Sequence, residues 1–180
     1  AWTGPLRLTD RFAHCLDGIE TADSVGFSAH KWLYQPKGSA LVLFRNADAT
    51  HDALSYGGGY LATPNVGLLG STPAAAIPLA AMILSWGRTG LVQRIESDMT
   101  KADELAKLIE SDPRFLLWGP NKTGVVVWRP VDVEPSDVRS RLQNGWVSLT
   151  DVDGQTWFRS VAANPSADPG YLFDQVSAAL

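Results

Sequence analysis

The spacing of hydrophobic positions changes character along the chain, and each change predicts an element. Behind Thr9-Asp10, the residues Phe12, Cys15, Leu16 and Ile19 recur at i, i+3, i+4 and i+7. That stripe predicts a short capped amphipathic helix with Cys15 on its buried face and His14 on its solvated one. Val25 and Phe27 then alternate with small residues, as in a buried strand, and Ala40 to Phe44 is apolar throughout, as in a second one. Gln35-Pro36-Lys37-Gly38 supplies the turn between them, so the two strands flank whatever lies at the end of the first. Asn46 to Asp52 is polar, which leaves His51 exposed. Ser55 to Asn65, with Gly57-Gly58-Gly59 in its middle, reads as a loop.

Gly70-Ser71-Thr72-Pro73 has the form of a helix start, with Thr72 as N-cap and Pro73 at the first helical position. Ala74 to Trp86 is apolar almost all round, which predicts a helix buried on several sides, with Pro78 kinking it or shifting its start. Gly87-Arg88-Thr89-Gly90 interrupts that pattern. Leu91, Val92, Ile95, Met99, Ala102, Leu105, Ala106 and Ile109 then mark a long amphipathic helix ending at Asp112-Pro113, the expected link between two domains. Glu96, Asp98, Lys101, Asp103 and Glu104 are expected on its solvated face.

Beyond Pro113 the rhythm becomes that of strands. Phe115 to Trp118, Gly124 to Trp128, Trp146 to Thr150 and Thr156 to Val161 are the predicted strands, the last two joined by an Asp153-Gly154 hairpin turn. Helices are expected from Pro135, with Val138 and Leu142 on one side, and from about Asp168 to Leu180, with Tyr171, Leu172, Val176 and Leu180 facing inward. Strands in series flanked by helices predict a small α+β domain over 91–180, following an α/β first part over 1–90.

Composition narrows the class of function. With 45% hydrophobic and 19% charged residues the chain can bury a sizeable core, and its formal charge of −4 argues against a nucleic-acid partner, which needs a basic footprint. Cys15 is the only cysteine, so no intramolecular disulfide forms and a reducing, cytoplasmic setting is expected. No apolar run approaches the roughly 20 residues needed to cross a bilayer, so no membrane partner is expected. Three scattered histidines without ligand spacing predict no metal site.

The chemistry concentrates in Ala22 to Leu33, where the Val25-Gly26-Phe27 strand ends in Ser28-Ala29-His30-Lys31. Strand ends in α/β sheets are where ligands sit. A lysine behind an apolar strand and beside a histidine reads either as a nucleophilic amine, favoured in its neutral form by desolvation and a nearby cation, or as a solvated surface residue. The glycines at 57–59 lack the lysine and Ser/Thr that a phosphate-cradling loop would place at a helix start. Arg159, inside Trp157-Phe158-Arg159-Ser160-Val161, would be a buried guanidinium in need of a carboxylate, from a substrate or from an ion pair between domains.

Asp23 to Leu33, followed by Gln35-Pro36 and the strand Ala40 to Arg45, closely resembles the lysine segment of the group II pyridoxal-phosphate-dependent amino acid decarboxylases, which include the aromatic amino acid, glutamate and diaminobutyrate enzymes. Thr9 to Gly18, Gly57 to Thr72, Trp86 to Leu91, Asp112-Pro113-Arg114-Phe115 and Trp157-Phe158-Arg159 resemble further family segments in the same order, so the resemblance covers essentially the whole chain. It implies a fold type I enzyme: 1–90 as the C-terminal part of the cofactor-binding large domain, and 91–180 as the linking helix and small C-terminal domain.

The resemblance also implies roles. Lys31 would hold pyridoxal 5'-phosphate as an imine, and His30 and Ser28 would help seat the cofactor, Ser28 standing where many members have asparagine. In an extended segment His30 and Lys31 point apart, which suits phosphate or ring contact for His30. Gly70, Ser71 and Thr72 would lie close to a neighbouring subunit's phosphate, Thr72 replacing an arginine common in the family. Tyr60, with Tyr56 as competitor, would act in a neighbouring subunit's site and return a proton to the substrate carbon after carbon dioxide leaves. Arg159 would meet the substrate carboxylate. The aspartate that pairs with the cofactor's ring nitrogen would lie two residues before Ala1, so the resemblance implies the C-terminal part of a longer enzyme, as a split subunit, a processed chain or a fragment. Its partners would be the N-terminal portion as a separate chain, in a homodimer or heterotetramer with shared active sites, and a small amino acid. Two alternatives stand beside decarboxylation: a related reaction on the same cofactor (decarboxylation-coupled oxidative deamination, aldol cleavage or transamination), and a non-catalytic stabilising subunit.

Overall fold

The computed structural model describes residues 1–59, 74–143 and 147–180, together with the backbone of 65–66. The chain divides into two compact units, Ala1–Val92 and Gln93–Leu180.

The first unit opens with three short 3-10 turns, Gly4–Leu8, Ala13–Leu16 and Ile19–Thr21, where the spacing predicts one amphipathic helix. Thr9 is the reason at the entry. Its hydroxyl accepts from the Phe12 amide at 3.1 Å and donates to the Leu6 carbonyl at 2.8 Å, closing two tight turns on each other. Gly18, at φ 91°, breaks the chain again. Phe12 alone of the predicted stripe is fully buried, and Cys15 is exposed with its Sγ 3.6 Å from His14 Nε2, so the expected core role for Cys15 is not what the fold gives it.

β1 (Ser24–Ser28) pairs antiparallel with β2 (Ala40–Phe44), from Ser24 opposite Phe44 to Ser28 opposite Ala40. The predicted return past the lysine is therefore a hairpin. It is not a buried one: Val42, Leu43 and Phe44 are 58%, 55% and 42% exposed, because the sheet has two strands. α1 (Ala47–Leu54), capped by Asn46 accepting from the Ala49 amide, carries exposed His51. β3 (Ser55–Tyr56) pairs with β4 (Asn65–Val66).

α2 (Ala76–Ser111) is two helical arms meeting at Gly87, whose φ 59° and ψ −174° belong to a region open essentially to glycine alone. Pro78 falls in the first turn, so it sets the start and makes no kink. The first arm buries Leu79 and Met82 and leaves Ile77 and Leu84 largely exposed, so the all-round burial predicted for it is not found. Leu79 and Met82 join Ala29, Leu33 and Leu91 in a small core, with Leu8, Phe27, Leu41 and Trp86 against it. In the second arm the predicted stripe from Leu91 to Ile109 is inward, but Asp98 is buried with it, being one helical turn from both Ile95 and Ala102.

In the second unit β5 (Phe115–Leu117), β6 (Val125–Pro130), β7 (Ser148–Val152) and β8 (Gln155–Val161) form an antiparallel sheet in the order β5-β6-β8-β7. Asp153 and Gly154 both take positive φ, 53° and 75°, the two-residue turn that the Asp-Gly pair predicts. One sheet face packs on α2 through Ala102, Leu105, Ala106 and Ile109, on α3 (Pro135–Arg141) through Val138, and on α4 (Pro169–Ala178) through Val176. Trp128 is its centre, ringed by Phe115, Phe158 and Phe173 at 5.1–6.4 Å between ring centroids, with its indole N–H donating to Ser160 Oγ at 3.1 Å. Asp168 caps α4 by accepting from the Tyr171 amide, and Tyr171 itself is exposed, contrary to its expected inward place.

Candidate active site

The lysine segment is a turn, not an extended run. After Ser28 the chain closes on itself: the Ala29 amide donates to the Ser39 carbonyl at 2.9 Å, Tyr34 to Lys31 at 2.9 Å, and Gln35 to Ala29 at 3.1 Å. The spacing of burial explains what the turn achieves. Ala29, Trp32 and Leu33, at i, i+3 and i+4, are 0–5% exposed and bolt the turn to the core. The two positions between them face outward, leaving His30 exposed and Lys31 half-buried. His30 and Lys31 thus share the open side of one turn, and the strand alternation that would separate them does not apply. Ser28, half-buried at the end of β1, completes the group.

Among the described residues no carboxylate pairs with Lys31; its ammonium lies over the Trp2 ring, 5.8 Å from the centroid. Trp2 is the neighbour that sequence reasoning missed. Twenty-nine positions separate it from Lys31, and only the pairing of the chain start with β1, through the Ser28 amide and the Ala1 carbonyl at 3.0 Å, brings them together. Gln35, whose place in Gln35-Pro36-Lys37-Gly38 predicts only a turn residue, is buried, with Nε2 donating to the Leu33 carbonyl at 2.9 Å inside the same turn.

Arg159 belongs to the second unit and is exposed rather than buried. Strand alternation is the cause: Phe158 and Ser160 face the core, which turns Arg159 to the opposite sheet face. Its Nε donates to Ser148 Oγ at 3.4 Å, the Ser148 hydroxyl donates to the Arg159 carbonyl at 2.8 Å, and no ion pair holds it among the described residues. Tyr60, Gly70, Ser71 and Thr72 lie outside the described residues. Tyr56 is half-buried in β3.

A family model, the pyridoxal-dependent decarboxylase conserved domain, matches residues 1–131, which include the whole lysine turn. The chain belongs to the pyridoxal-dependent decarboxylase family. The cofactor of that family is pyridoxal phosphate. Among similar proteins, the aspartate 1-decarboxylase of Aliivibrio fischeri is 30% identical over 148 residues, covering 79% of this chain and 26% of that protein. A tryptophan decarboxylase of Camptotheca acuminata is 29% identical over 168 residues, covering 83% and 33%. Among solved structures, rice tryptophan decarboxylase with pyridoxal phosphate and tryptamine superposes with a TM-score of 0.84 at 20% identity, over 99% of this chain and 43% of that one. The likeness shows that this decarboxylase-family chain has the fold of that region. The chain spans about a quarter to a third of the length of these curated relatives.

Proposed function

We propose that this chain is the lysine-bearing C-terminal portion of a pyridoxal-phosphate-dependent amino acid decarboxylase, releasing carbon dioxide and an amine together with the N-terminal portion as partner. The observation that carries it is the turn at the end of β1, which anchors Ala29, Trp32 and Leu33 inward and presents Lys31 and His30 on its open side. The donor set suits the cofactor. An amine unclaimed by any carboxylate among the described residues can capture an aldehyde, and the Ser28 hydroxyl at the end of β1 and the His30 imidazole on the turn can donate to a phosphate. When bound, the cofactor supplies the electron sink that lets the bond to the carboxylate break. The protein's part is to hold it through Lys31, with His30 and Ser28 toward its phosphate or ring. Gly70, Ser71 and Thr72 would serve a neighbouring subunit's phosphate, and Tyr60 would return the proton across the interface. Arg159, exposed and with its terminal guanidinium nitrogens unengaged among the described residues, would take the substrate carboxylate.

Borohydride reduction of the assembled, cofactor-loaded protein followed by peptide mass analysis tests the proposal, with a pyridoxyl phosphate adduct expected on Lys31. An adduct on any other lysine removes Lys31 from its role.

A second reading is decarboxylation coupled to oxidation, in which dioxygen and water are consumed and an aldehyde, ammonia and hydrogen peroxide replace the amine. It is favoured by one of the similar proteins, the 4-hydroxyphenylacetaldehyde synthase of Rhodiola rosea, 25% identical over 138 residues. Product analysis separates the two: amine without ammonia supports the first, aldehyde with ammonia the second.

A further inference from the structure

Trp2 stands out because three separate contacts build it into the lysine turn. The Ser28 amide donates to the Ala1 carbonyl at 3.0 Å, fixing the chain start along the end of β1. Gly4 lies so close to Phe27 that a Cβ there would meet the Phe27 Cβ and Cγ at 3.2 Å, so a side chain at residue 4 would push the segment and the strand apart by a few tenths of an ångström. The Trp2 ring then packs on Trp32, itself wholly buried, with 4.9 Å between centroids at 49°. Trp32 immediately follows Lys31, so the ring of Trp2 is held at the base of the lysine side chain and its face receives the ammonium at 5.8 Å.

We infer that Trp2 is a positioning residue for Lys31: its indole face seats the lysine ammonium whenever that amine is not joined to the cofactor. The inference rests on the reading of Lys31 as the cofactor lysine. The reaction needs such a seat. Each time an amino acid displaces the lysine from the cofactor, the proton given up by the incoming ammonium group passes to the freed lysine amine, which must lose it again and return to the same carbon at the end of the cycle. A four-carbon side chain with a hydrated head would otherwise spread over many rotamers. An aromatic face attracts the cation through its quadrupole and has no such hold on the neutral amine. Loss of the proton therefore frees the lysine at the moment it becomes a nucleophile. A carboxylate in the same place would grip the charged form more strongly and hinder the return.

The test measures the lysine directly, in the assembled protein stripped of cofactor. Trace labelling with acetic anhydride, read by peptide mass analysis, gives the reactivity of Lys31 relative to exposed Lys37 in the same molecule. Trp2→Leu is expected to raise that ratio roughly two- to fivefold, the range of an exposed to partly buried cation–π contact, while Trp2→Phe, which keeps an aromatic face, retains most of the protection. A merely structural role would be served by leucine. An unchanged ratio in Trp2→Leu overturns the inference, as does a rise in Trp2→Phe equal to that in Trp2→Leu. Should Trp2→Leu fail to fold, incorporation of fluorinated tryptophans keeps the shape and weakens the quadrupole: Lys31 labelling should rise with the number of fluorines, and a flat series overturns the inference. Borohydride trapping separates the two layers. Cofactor trapped on Lys31 with flat labelling sinks the role of Trp2 alone, whereas cofactor trapped on another lysine sinks the reading of Lys31 whatever Trp2 does.

Discussion

The two units of this chain solve the burial of apolar residues in opposite ways. In the second, one face of a four-stranded sheet meets three helices, and Trp128, Phe158, Val138, Val147 and Val176 are all 0–2% exposed. In the first, β2 and the first arm of α2 are as apolar as anything in the second unit, yet Val42, Leu43, Ile77 and Leu84 are more than half exposed. The second unit covers one sheet face with its own helices and leaves Leu116 and Trp118, at 50% and 57% exposure, outside that core; in the first, the described residues leave most of β2 uncovered. The proposed chemistry at Lys31 belongs to the first. Its lysine turn is nevertheless anchored, because Ala29, Trp32 and Leu33 are 0–5% exposed, Ala29 and Leu33 within the small core of that unit.

Substitutions can break or sharpen this contrast. The largest effect is expected from Lys31→Ala, which should abolish the borohydride-trapped adduct and turnover in the assembled enzyme while leaving thermal unfolding of the second unit unmoved; retained turnover would remove the first unit from the centre of the chemistry. Next is Trp128→Ala, which empties the centre of the aromatic cluster and forfeits its bond to Ser160 Oγ. It should cost about 3–5 kcal/mol, read by denaturant unfolding, and a loss below about 1 kcal/mol would mean that the second unit is not packed around that ring. Gly87→Ala forces a side chain into a glycine-only conformation and should cost about 1–3 kcal/mol. A variant as stable as the parent would show that the two arms of α2 straighten freely.

Two smaller effects follow. Asp168→Ala removes the cap of α4 and should cost about 1 kcal/mol by the same unfolding measurement. Asp112, between α2 and β5, is held below the ordinary carboxyl value of 3.8, chiefly by side-chain hydrogen bonds from Arg114, then by the Arg114 backbone amide. A carboxyl held low stabilises the fold in its ionised form, so this contribution is present above 3.8 and lost as pH falls through the lowered value. The advantage of the parent over Arg114→Met should therefore be level near neutrality and shrink in acid below 3.8; an advantage that grows in acid would contradict the pairing.

How much of this was legible depended on distance along the chain. The second arm of α2, the four strands of the second unit and the Asp153-Gly154 turn were readable because period, cap and turn chemistry are local. The family was readable as a motif for the same reason. What failed did so where a short-range pattern had two outcomes. The stripe from Phe12 to Ile19 suits a helix, but the Thr9 hydroxyl closes 3-10 turns first. Apolar β2 reads as buried, yet burial requires a covering layer, which no pattern within a strand can supply.

The sequence by itself determined the family, the order of elements in the second unit and the core face of the second arm of α2, since each is written in residue types at fixed short spacings. Only the tertiary structure decided that His30 and Lys31 share one open side of a turn, that Arg159 faces away from the core of its sheet, that Asp98 is buried, and that Trp2 lies under the ammonium of Lys31. Those facts depend on which backbone groups pair across many intervening residues, and on the layer each face meets, and neither is fixed by the composition of any one segment.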